Sequence, residues 1–110
     1  MNATYSDQTR QRAEDHLLLE QATKSLEKIV NPSLGLFSAK WDRGEDERGH
    51  TVYSLMISDD SEEVSTTFTP DELRHPNHMR SRLRDLWDDL LQVQSNKRVK
   101  KLLQYLAEGE

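Results

Sequence analysis

Between Phe37 and Phe68 the residues that can face a core alternate by two on three occasions: Phe37, Ala39, Trp41; then Tyr53, Leu55, Ile57; then Val64, Thr66, Phe68. A period of two places each set on one face of an extended strand and the intervening polar residues on the other. A helix makes no single apolar face from that spacing, so the segment must be sheet. A sheet apolar on one side only must find cover for that side. The connections are short: "DRGEDERG", with Gly44 and Gly49, and the acidic "SDDSEE", whose Asp and Ser side chains can bond their own backbone. Short links favour antiparallel neighbours, so the spacing predicts a three-stranded meander over residues 34–69.

The cover is written on either side of these strands. From about Ser6 to Val30 the residues Leu18, Ala22, Leu26, Ile29 and Val30 recur at helical spacing, with Leu19 widening the stripe. Ser6 or Asp7 suits the cap, Arg10–Glu14 and Glu20–Lys24 are opposite charges one turn apart, and "NPS" at Asn31–Ser33 stops the helix. After the strands, Thr69-Pro70-Asp71-Glu72 reads as a capping box with proline at the first helical position. Pro76 follows too soon for that helix to continue, which predicts a short turn over 70–75 and a new helix from Pro76 or Asn77. Met79, Leu83, Leu86, Trp87, Leu90 and Leu91 give the new helix its core stripe. "QSNKR" at 94–98 reads as a joint, after which Val99, Leu102, Leu103 and Leu106 form a last helix. The expectation is one α+β domain over 1–110 in the order α-βββ-α-α: helix at 6–30, sheet at 34–69, two C-terminal helical segments within 70–107. Its core should hold Phe37, Trp41, Leu55, Ile57, Phe68, Leu83, Leu86, Trp87 and Leu90.

That core is thin. Charged residues make up 32% of the chain, and Leu, Ile, Val and Phe together number 24 of 110, about 22%, just above the level at which burial no longer offsets ordering entropy. Such a chain is marginally stable alone or completes its core by self-association. The absence of cysteine excludes disulfides, thiolate catalysis and Cys-based zinc sites. No apolar run approaches the roughly 18 residues of a spanning helix, and the N-terminus is polar with no leader-like apolar stretch. A soluble cytoplasmic protein without a membrane partner is the expectation.

Catalytic chemistry finds little support. His75 and His78 with Asp71 or Glu72 come nearest to a metal set, but they straddle Pro76 and lack HExxH spacing. Histidines beside helix starts are the simpler reading, and no metal or other cofactor is expected. The acids Asp42, Glu45, Asp46, Glu47, Asp59, Asp60, Glu62 and Glu63 gather at strand ends without the ligand spacing of a calcium loop. Turn charges that keep strand edges from pairing wrongly account for them. There is no GxSxG elbow, no P-loop, and too little glycine for a phosphate cradle. Enzyme is therefore the least supported class, a metal-dependent one included.

Charge is the feature that points to a partner. Within a net −5, residues 31–69 carry 3 basic and 8 acidic side chains, whereas 74–101 carry 8 basic and 3 acidic. Arg82–Asp85 and Arg84–Asp88 would neutralise each other in part along one helix. The candidate contact residues are Arg74, Arg80, Arg84, Lys97, Arg98, Lys100 and Lys101, with Tyr105 an aromatic beside the last stripe. The α-βββ-α order resembles the double-stranded RNA-binding domain at the level of topology. That family's lysine cluster would stand at "TPDELRHPNHMR", where two acids precede the arginines, and its loop histidine at His50, inside acidic "GEDERGH". The reading these residues favour is a small non-enzymatic interaction or adaptor module that binds a protein partner or itself. The alternative is a nucleic-acid or polyanion-binding regulator that uses the basic C-terminal face.

Overall fold

The structure, a computed structural model, describes residues 2–30, 37–59 and 62–108, and for Arg98 and Glu108 the backbone alone. The stop signal at Asn31–Ser33, residues 34–36 of the expected sheet, and Asp60 lie outside the described residues. Strand β1 (Asn2–Tyr5) leads through a 3-10 turn (Asp7–Arg10) to α1 (Ala13–Ile29). Strands β2 (Ser38–Glu45), β3 (Thr51–Ser58) and β4 (Glu63–Phe68) follow, then α2 (Pro70–Leu73) and α3 (Pro76–Glu108). The strands form one sheet in the order β1-β2-β3-β4.

The meander is as expected, β2 pairing antiparallel with β3 and β3 with β4. Its register sets Trp41 opposite Leu55, Ala39 opposite Ile57 and Tyr53 opposite Phe68, so the three alternating sets share one face. The class is α+β, but three details differ. A fourth strand, β1, runs parallel to β2, with Tyr5 opposite Trp41, and α1 begins at Ala13 rather than near Ser6. Four residues carry too little pattern to announce a strand; the open edge of β2 is what makes "NATY" extended. Second, Asp42–Glu45 continue β2, so the link to β3 shrinks to a turn closed by Asp46 and by Gly49 at φ 78°. The Asp46 carboxylate accepts from the Arg48 and His50 backbone N–H groups at 2.9 Å each. Those bonds, the His50 one foremost, hold its pKa below the usual carboxylate value.

Third, "QSNKR" is not a joint. Helix α3 runs unbroken from Pro76 to Glu108, so the two C-terminal segments are α2 and this single long helix. Ser95 and Asn96 each disfavour a helix interior by less than about 0.7 kcal/mol. Stopping and renucleating costs more, and no proline or glycine forces it. The break that does occur is the one proline imposes. Thr69 Oγ1 accepts the Glu72 N–H at 3.2 Å and Glu72 Oε1 accepts the Thr69 N–H at 3.0 Å, a complete capping box. α2 then ends before Pro76 opens α3.

One face of the sheet is covered by α1 and the first half of α3. Leu19, Ala22, Leu26, Ala39, Trp41, Tyr53, Leu55, Phe68, Leu83 and Leu90 are wholly buried, and every residue expected in the core is in it. Two polar networks pin α1 to the strands. Thr23 Oγ1 accepts from Trp41 Nε1 at 2.9 Å and from the Tyr5 hydroxyl at 3.0 Å while donating to the Leu19 carbonyl. The Tyr53 hydroxyl donates to buried Asp15 at 2.6 Å. Burial first, and then the Asp15 carboxylate, pushes the Tyr53 pKa up to about 12.

Candidate functional site

Two halves of α3 have different surroundings. Rotation of about 100° per residue places Met79, Leu83, Leu86, Trp87 and Leu90 within one arc, and all five are buried against the sheet and α1. The body holds the helix as far as Lys97. Gln94 donates to Asp59, and Lys97 Nζ lies 3.0 Å from Glu62, both acids flanking the β3–β4 turn. Beyond Lys97 every described side chain is exposed. Val99, Leu102, Leu103 and Leu106 are 51–59% exposed and Tyr105 is 74% exposed.

These distal residues do not continue the core stripe. Val99, Leu102, Leu103 and Leu106 recur at helical spacing, but their arc is centred about 160° from that of the proximal stripe. They stand on the side of α3 that carries Asp85, Asp88, Gln92, Ser95 and Asn96 nearer the body, all of them exposed. Lys97, Lys100 and Lys101 fall on the opposite side. The last three turns are thus an amphipathic helix in their own right, with the apolar face turned away from the domain. The molecule is long as a result, 59 × 32 × 25 Å, with a radius of gyration of 16.4 Å. A compact chain of this length has a radius of about 13 Å.

The basic residues do not form one surface. Arg74 pairs with Asp71 at 3.1 Å. Arg82 neither meets Asp85 nor faces solvent freely; it lies over the Phe68 ring and donates to Glu72 at 2.6 Å and Thr66 at 2.7 Å. Burial pushes the Glu72 pKa up, but the Thr69 N–H, His78 and Arg82 outweigh it and hold the carboxyl below its ordinary value. Arg84 makes no ion pair with Asp88. Arg80 and Arg84 instead line a cavity of about 500 Å³ between α1 and α3, together with Ser25, Lys28 and Ile29. Lys28 was no part of the sequence-based set; only the packing of α1 on α3 brings it there. Lys97, Lys100 and Lys101 lie about 20 Å further along the helix. Arg98 belongs to the same stretch of backbone.

The histidines part company at Pro76. His75 Nδ1 lies 2.7 Å from the Asp71 carbonyl and His78 Nε2 3.2 Å from the Glu72 carboxylate. Among the described residues no three His, Asp or Glu side chains gather as a metal set. No described helix is long and apolar enough to cross a membrane. Comparison with protein-family models, with curated proteins and with solved structures finds no match.

Proposed function

We propose that this chain is a small non-enzymatic interaction module whose docking element is the distal part of α3. One observation carries the reading: an apolar stripe of Val99, Leu102, Leu103 and Leu106 projects past the domain on the side away from its core. Scattered exposed leucines are ordinary, but a contiguous stripe at helical spacing is the form in which a helix meets a partner. A three-turn helix without packing is also marginal in water, and a partner that covers the stripe supplies what the domain withholds. A photo-reactive residue at Leu103 tests this in the cell of origin. Adducts should form there, and far fewer from the same probe at Lys40 on the open sheet face. An absence of adducts at Leu103 overturns the reading.

The cavity lined by Arg80, Arg84 and Lys28 favours a second reading, a site for a phosphate-bearing polyanion. Its cations come from two helices, and none has an acid partner among the described residues. Exposed Asp85 and Asp88 on the neighbouring turns weaken the local potential, which ranks this reading below the first. Double substitution of Arg80 and Arg84 by alanine should abolish salt-sensitive binding to a short RNA or DNA. Unchanged binding removes this cavity as the site.

A further inference from the structure

We infer that the occupant of the distal stripe is a second copy of this chain, its α3 packed antiparallel about a two-fold axis between Leu102 and Leu103. The inference rests on the docking role proposed above and names the partner.

The stripe is complementary to itself in that orientation. Antiparallel pairing about that point sets Leu102 against Leu103 of the other copy and the smaller Val99 against Leu106, so two helices fill one seam without a charge inside it. Overlap then spans residues 97–108 of each helix. The end of the partner's α3 lies level with Lys97 but on the other face, the one that carries Ser95 and Asn96 and is turned away from the body, so the two domains sit at opposite ends. Parallel pairing would instead align the outward acids Asp85, Asp88 and Asp89 of one copy with the same acids of the other, a like-charge contact. The polar stretch Gln92, Ser95 and Asn96 marks where the apolar seam stops, and the seam ends there in the antiparallel overlap as well.

The size of the stripe sets the strength. Each copy brings four apolar side chains to the seam, where a standard stable interface engages about 20–30 residues a side. The dimer is therefore concentration-dependent, dissociating at low micromolar concentration and populated toward ~1 mM.

The chain has no cysteine, so single cysteines report the register cleanly. Val99→Cys and Leu106→Cys proteins are mixed in equal amounts at several hundred micromolar and oxidised. In the antiparallel seam the two positions face each other, while each is about 10 Å along the axis from its own copy. Disulfide closure requires Cα atoms within about 7 Å. The expected result is a disulfide between unlike chains in several-fold excess over either like pair. Like pairs in excess overturn the register. Sedimentation supplies the second arm: the unsubstituted chain should dimerise, and joint Leu102→Glu and Leu106→Glu should raise the dissociation constant at least ~10-fold with unchanged far-ultraviolet dichroism. A monomer up to ~1 mM overturns the inference outright. If that monomer still gives Leu103 adducts with another protein, the docking role stands and only the identity of the partner falls.

Discussion

The two parts of α3 are one helix by backbone and two different objects by environment. As far as Leu91 the apolar stripe of α3 packs into the core; Leu83 and Leu90 are wholly buried, and Trp87 meets the Phe37 ring edge-on at 4.7 Å. Past Lys97 the same residue types, at the same spacing, have water. Apolar periodicity thus says that a face wants cover, but not whose cover it will be. A turn of phase of about 160° separates a helix that builds the fold from one that is available to a partner.

That contrast can be broken by mutation, the largest effects lying in the proximal part and the body it closes. Leu83→Ala should cost about 2–5 kcal/mol in urea unfolding, because it leaves a cavity in a dry core. A loss below about 1 kcal/mol would mean that the proximal stripe is not packed as described. Next comes Thr23→Val, which preserves shape but strands the Trp41 N–H and the Tyr5 hydroxyl. It should cost about 1–3 kcal/mol, with a shift in tryptophan fluorescence.

Tyr53 predicts an alkaline loss of comparable size. Its folded pKa, about 12, lies above the ordinary value of 10.0. A group raised on folding contributes stability that is fully present below the unfolded value and is lost as pH rises through the folded one. Urea midpoints should therefore fall between pH 10 and 12, and more steeply than in Tyr53→Phe. Equal slopes in the two proteins would remove the Asp15–Tyr53 bond from the account.

Thr69→Ala, which opens the capping box beneath α3, should cost about 1 kcal/mol. The smallest effect belongs to the distal stripe. Leu103→Ser in dilute solution should change stability by less than about 0.5 kcal/mol, as for a surface residue. A value near that of Leu83→Ala would show that the distal stripe is covered by its own domain after all, and the comparison would collapse.

Much of the fold was legible because it rests on local rules. The alternation at Phe37, Ala39 and Trp41 and its two successors, the stripe of α1, the capping box at Thr69 and the break at Pro76 all follow from geometry within a few residues. "NATY" was not legible, since its strand exists only because β2 has an edge to pair with. "QSNKR" misled because polar residues without glycine or proline lower helix propensity without ending a helix. The candidate site was half legible. Val99, Leu102, Leu103 and Leu106 were visible as an apolar helical stripe, whereas their exposure was not. Among the basic residues, Arg80 and Arg84 come together as their spacing implied, but the pairing of Arg82 with Glu72 rather than Asp85 required the return of α3 across β4.

By itself, then, the chain's order of residues determined α1, the three strands of the meander and the start of α3, which face of each is apolar, and where proline interrupts. These are short-range matters of dihedral angle, periodicity and capping. Only the tertiary structure decided which apolar faces found each other. Burial depends on the length of the sheet, which covers α3 as far as Lys97 and no further, and on the phase at which the last stripe leaves it. Together they leave the apolar side chains of the last stripe facing solvent.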